Sequence, residues 1–196
     1  MTLTPAQTKR LAAVTTLHSG KGQKGLEDAC LMQCVDWVFR NKDHFTDTPK
    51  CASPVLTAFG IHLNDAAWPT DKDRTDALRP AIPLLIGTRT TDESVEQHRR
   101  YRLVDFAVRE AAPYWFDYAY QQTKKKTYKE HAAAMRACAP VKDAATREAA
   151  RVVAAANGLT DLCGLCGAAD AAANAAIHLP ILRRAAEVLI EACSIR

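Results

Sequence analysis

The chain has 196 residues, 48% apolar and 24% charged, with a formal charge of +4 and seven cysteines. Such values exclude a disordered or collagen-like chain, and a charge this mild does not by itself define a partner. No stretch approaches the roughly 20 apolar residues that span a bilayer, Met1 to Arg10 lacks a signal-peptide core, and the thiols are odd in number and scattered. The expectation is a cytoplasmic protein with reduced cysteines and no membrane contact.

Thr4-Pro5 combines an N-cap with proline at the first helical position, and Leu11, Val14 and Leu17 recur at helical spacing, predicting a first helix that reaches Ser19-Gly20. Ser19 to Gly25 then holds three glycines and two lysines and reads as an exposed loop. A second, central helix is predicted over residues 26–40, with Gln33, Asp36 and Arg40 on its polar arc and Leu26, Cys30, Cys34, Val35, Trp37 and Val38 around the rest. Ser53-Pro54 opens a third helix striped by Val55, Phe59 and His62. Trp68-Pro69 breaks the chain, and short helices are expected up to Leu78 and from Pro80 to Gly87. A long helix runs from Thr91 or Asp92 to about Glu110, and Pro113 opens an aromatic segment with Tyr114, Trp115, Phe116, Tyr118 and Tyr120.

From His131 to Ile177 alanine dominates, punctuated by Pro140, Gly158 and, just beyond, Pro180. No β-branched alternation suggests a sheet anywhere. The predicted class is all-α, a compact multi-helix N-terminal module over residues 1–90 followed by an alanine-rich helical bundle over residues 91–196. Alanine buries little area, so the second half completes its core by docking on the first or by forming a homo-oligomer.

Several residues could carry chemistry. Glu27 falls within the apolar arc of the predicted second helix, beside Cys30, Leu31 and Cys34; as a first-turn acid it would instead favour the helix dipole from solvent. Cys30 and Cys34 share a helix face and could join Cys51 or His18 around a metal, or pack as small hydrophobes. Cys51 precedes the Ser53-Pro54 helix start, where a dipole lowers a thiol pKa, and His18, His44 and His62 are the bases available to it. Cys163-x-x-Cys166 has the redox or half-zinc spacing, but without a partner motif it reads as small residues at a helix contact. The glycines and lysines of residues 20–25 could cradle a phosphate, though they match no Walker pattern. Two basic clusters, Arg99-Arg100-Tyr101-Arg102 and Lys124-Lys125-Lys126 with Tyr128 and Lys129, suit nucleic acid or simply a solvated helix face.

Glu27-x-x-Cys30-x-Met32, Asp47-x-Pro49-x-Cys51-x-Ser53-Pro54-Val55, Asn64-Asp65 and Leu78-x-Pro80-x-Ile82-Pro83-x-Leu85-x-Gly87-Thr88 together resemble a family of uncharacterised actinobacterial and phage proteins. In that family a similar N-terminal module precedes a variable alanine-rich helical tail. The resemblance covers roughly the first ninety residues and implies no activity. Gln33 stands where members usually have glutamate, and the Ser19 to Gly25 loop also differs.

Taken together the residues suggest a non-enzymatic binding protein, phage-encoded, acting on a host protein or a nucleotide-like anionic ligand. His18, Lys21, Lys24, Glu27, Asn64 and Asp65 are its expected ligand residues, with neither cofactor nor metal. A cysteine- or metal-dependent enzyme centred on Glu27, Cys30 and Cys51 is the first alternative. Nucleic-acid binding through Arg99, Arg100, Arg102, Lys124, Lys125 and Lys126 is the second.

Overall fold

The computed structural model describes residues 2–23, 25–40, 46–157 and 175–195. Among them there is no strand, and the fold is all-α as expected. No helix among them is long and apolar enough to cross a membrane. The described residues form two compact units, one reaching Arg99 and including the final helix, the other running from Arg100 to the end of the preceding helix. A boundary near residue 90 does not anticipate the return of the last helix to the first unit.

In the first unit α1 (Pro5–Ala13) starts on a capping box between Thr4 and Gln7. It stops short of the predicted Ser19 because Val14-Thr15-Thr16 is β-branched and other groups take over the backbone. Arg79 Nε donates to Val14 O at 2.7 Å and its Nη2 to Leu11 O at 3.0 Å, while Leu17 N donates to Thr75 Oγ1 at 2.9 Å. Val14 and Leu17 are therefore buried from an extended segment, not from a helix.

The predicted second helix is likewise divided. Leu26–Asp28 is a single 3-10 turn, Ala29 is extended, and α2 (Leu31–Arg40) begins only after Cys30. His18 N, donating to Ala29 O at 3.1 Å, ties this break to the segment after α1. The polar arc assigned from the wheel does not face water: Gln33 is 2% exposed and Asp36 is 1% exposed. α3 (Pro54–Asp65) is capped by Ser53 and crosses α2 so closely at Gly60 that a Cβ there would stand 3.1 Å from Met32 Sδ. His62, placed on the buried stripe from sequence, is exposed.

α4 (Asp71–Leu78) and α5 (Ile82–Leu85) wrap this pair, and α10 (Ala175–Cys193) closes it, packing on α3 and α4. Leu31, Val35, Leu56, Leu78, Ile82, Leu85, Val188 and Leu189 are all fully buried. At about 1.5–3 kcal/mol for each large apolar side chain, they are the main drive for folding this unit. Pro180, read as punctuation, lies inside α10, where its missing N–H forfeits one backbone bond.

α6 (Glu93–Phe106) carries the chain across the boundary between the units. Pro113, expected to open a new helix, instead lies in a continuous one, where its missing N–H cannot close the ordinary bond to the Arg109 carbonyl. Ala107–Ala111 therefore forms a π turn, with Ala112 N donating to Ala107 O, and α7 (Ala112–Thr123) follows directly. Lys124, at φ 57°, terminates α7 and Lys125 leads into α8 (Lys126–Arg136). α9 (Ala144–Ala156) starts on a capping box between Asp143 and Thr146. Val108, Ala112, Met135, Val141, Ala150 and Ala154 form the core of this second unit, with Phe116 and Val153 packed against them.

Candidate functional site

The residues expected to bind a ligand gather around the glycine-lysine loop. Asn64, fully buried at the end of α3, accepts from Leu31 N at 3.0 Å and donates to His18 O at 2.8 Å. Its own carbonyl receives Arg74 Nε at 2.8 Å. Gln33 Oε1 accepts from Gly22 N at 2.9 Å and from Cys30 N at 3.1 Å, and Gln33 Nε2 donates back to Gly22 O at 2.9 Å. Asp65 Oδ1 accepts from Gly20 N at 2.7 Å, Asp28 Oδ2 from Gln23 N at 2.9 Å, and Asp47 Oδ1 from Lys21 Nζ at 3.4 Å. His18 Nδ1 lies 3.1 Å from Asp71 Oδ2, and Asp71 also pairs with Arg74. At Gly22 a Cβ would stand 2.2 Å from Asp28 O, so only glycine lets the loop approach this closely.

The consequence reverses the phosphate-cradle expectation. The N–H groups of Gly20, Gly22 and Gln23 already bond to Asp65, Gln33 and Asp28, and two of those acceptors are carboxylates. An anion approaching this loop meets negative charge, and its amides are spent on holding the loop to α2 and α3. His18, Lys21, Asn64 and Asp65 thus do converge, but as parts of a fastening. Glu27 is exposed on the 3-10 turn, away from the apolar face of α2 where the wheel put it, because the helix begins four residues later at Leu31. Lys24 and His44 lie outside the described residues, as do Cys163 and Cys166.

The thiols behave as core. Cys30, Cys34 and Cys51 are buried, and among the described residues no three of His, Cys, Asp and Glu converge to hold a metal. Burial pushes the Cys34 thiol up to about 12. Burial also raises Cys30, with the Asp65 and Asp47 charges adding to it. The lowering expected at Cys51 is reversed, since burial and the Asp36 charge raise it against the pull of Arg40 and of the Cys51 and Gly87 amides. Ser53 Oγ, not the thiol, caps α3 by accepting from Leu56 N at 3.2 Å.

The two basic clusters separate sharply. Arg99 is 2% exposed and is no surface contact: Nη1 donates to Thr88 O at 2.7 Å and Glu96 Oε1 at 2.8 Å, and Nη2 donates to Ile195 O at 2.9 Å. Glu96 in turn accepts from Ser53 Oγ at 2.6 Å. Arg102 is partly covered, with Asp105 at 3.9 Å and Glu110 at 4.0 Å, and Arg100 is exposed. Lys124, Lys125, Lys126 and Lys129 are all exposed around the turn from α7 to α8. No carboxylate stands within ion-pair distance of these four among the described residues, whereas Lys21 pairs with Asp47, Lys72 with Asp76 and Arg136 with Asp117. The first turn of α8 carries no acid and no side-chain cap. Two half-buried tyrosines flank the turn: Lys124 Nζ sits 5.9 Å over the Tyr120 ring, and Tyr128 stacks on Phe116 at 6.3 Å.

Gln33, Asp36, Asp47, Asp71 and Glu96 escaped the sequence reading of the site. Gln33 was findable, because a glutamine three residues after a helix N-cap reaches back to the cap N–H, and Cys30 is that cap. Glu96 and Arg99 have the i, i+3 spacing of a helix ion pair.

Comparison with protein-family models, curated proteins and solved structures returns no match.

Proposed function

We propose that this protein works by associating with an anionic partner, through the lysine turn of its second unit, and not by covalent chemistry at its cysteines. One observation carries the reading: Lys124, Lys125, Lys126 and Lys129 are exposed and, among the described residues, have no carboxylate within ion-pair distance, whereas the glycine loop has spent its amides internally. Four adjacent uncompensated cations create a local positive potential that a net charge of +4 does not reveal. The five described cysteines are free thiols, which supports work in a reducing compartment such as the cytoplasm. A phage setting, with a host component as the partner, belongs to the same reading.

Retention on a polyanion resin tests it. The wild-type chain is expected to elute at higher salt than a variant in which Lys124, Lys125, Lys126 and Lys129 are all alanine. Equal elution of the two would remove the basis of the proposal.

A further inference from the structure

We infer that the anionic partner is single-stranded nucleic acid, bound with its phosphates along the lysine turn and a base against Tyr120. The inference rests on the anion-binding reading and sharpens it.

Charge alone would suit any polyanion, so the rings decide. Tyr120 lies in the last turn of α7 and Tyr128 in the first turn of α8, so the short connection through Lys124 and Lys125 sets a tyrosine on each side of the cations. Both rings are half-buried. Tyr128 is fixed by stacking on Phe116, and Phe116 also packs at 5.1 Å on His131. Lys124 Nζ lies 5.9 Å over the Tyr120 ring, so a base stacking on that face displaces the ammonium toward its own neighbouring phosphate. A ring held as Tyr128 is loses little side-chain entropy on stacking. A base can use them only if it is free of its own stack, which a single strand offers and a regular duplex does not.

Magnitudes follow from the count of cations. Four lysines neutralising four phosphates of a single strand give a slope of log affinity against log salt of about −2.8, and so roughly a 50-fold weakening between about 50 and 200 mM salt. Each lysine removed should flatten the slope by about 0.7. Loss of a stacked ring should weaken binding about tenfold or more without changing the slope.

The experiment is fluorescence anisotropy of the full chain with a labelled thymidine or uridine homopolymer of about 20 nucleotides, a duplex of equal length, and inorganic polyphosphate as competitor. Tyr120→Leu and Tyr120→Phe are compared with the wild type, and circular dichroism checks that each variant is folded. The expected result is preference for the single strand, retained in Tyr120→Phe and lost about tenfold in Tyr120→Leu at unchanged salt slope. Equal affinity for duplex and single strand, or identical binding by the two Tyr120 variants, overturns this inference while leaving the anion-binding reading in place. Failure to bind any of the three polyanions overturns both.

Discussion

Gln33→Leu isolates the loop fastening with little change of volume. Three hydrogen bonds disappear, to Gly22 N, Cys30 N and Gly22 O, at a side chain that is 2% exposed. Cys30 is buried, so its N–H cannot recover a water partner and costs about 1–3 kcal/mol. Gly22 is half-buried and regains part of its hydration, so its two lost bonds add about 0.5–1.5 kcal/mol each at most. Burying a leucine in a polar surround offsets some of this, leaving a net loss of about 2–4 kcal/mol. With a urea m-value of about 2 kcal/mol/M, the midpoint should fall by about 1–2 M at unchanged slope, measured by equilibrium unfolding followed by circular dichroism. Gln33→Glu keeps the acceptor oxygens and loses the donor to Gly22 O, while placing a charge near Asp28, Asp47 and Asp65, so it should fall between the wild type and leucine. A midpoint for Gln33→Leu within about 0.2 M of the wild type would show that the loop is held by something other than this amide.

Arg99→Met should cost about 3–5 kcal/mol in thermal or urea unfolding, because it leaves Glu96 covered without its cation and strips Thr88 O and Ile195 O of their donor. Lys125→Ala should stay within about 0.5 kcal/mol, and similar losses in the two would contradict the burial difference. In alkylation of the native protein at mildly alkaline pH, half-exposed Cys138 should react first among the five described thiols and Cys34, pushed up to about 12, last; mass mapping that found Cys34 first would refute the packing. The Thr146 amide and hydroxyl lower the Asp143 pKa, so its cap contributes stability above its unfolded value of about 3.9 and loses it as pH falls through the lower folded value. Far-UV circular dichroism in acid should therefore show an added helix loss in the wild type, and Asp143→Asn should flatten that part of the titration; an unchanged acid profile would assign the loss elsewhere.

Helix starts were legible where a local signal exists. Thr4-Pro5 and Ser53-Pro54 cap α1 and α3 as their residue types predict. Helix ends and interruptions depended on distant partners, and there the local pattern failed. Val14 to Leu17 continues a helical spacing, yet Thr75, Arg74 and Arg79, far along the chain, supply the partners that hold it extended. The break at Ala29 and Cys30 depends in the same way on Asn64 and His18. Gln33 and Asp36 fall on the polar arc of the wheel yet are buried, because a wheel scores polarity, not satisfaction. Buried polar groups are tolerated when their bonds are met, as those of Gln33 are. His18, Lys21, Asn64 and Asp65 were named as ligand residues from their types, but neither their meeting around one loop nor their consumption by one another was visible without the loop's path.

The contrast between the two basic clusters has a physical origin in the side chains themselves. Arginine presents a planar fork of donors that can bind several carbonyl or carboxylate oxygens at once and is weakly hydrated, so it can be taken into a fold as a cross-brace. Arg74, Arg79 and Arg99 are used that way, each reaching oxygens on segments distant in sequence. A lysine ammonium is strongly hydrated and compact, so four in one turn remain at the surface unless carboxylates are supplied, and among the described residues none comes within ion-pair distance of Lys124, Lys125, Lys126 or Lys129. An Arg-rich run in an all-α chain is thus weak evidence for a nucleic-acid surface, because the fold itself competes for guanidinium groups. A Lys-rich turn between helices, by contrast, keeps its charge at the surface, as at Lys124 to Lys126.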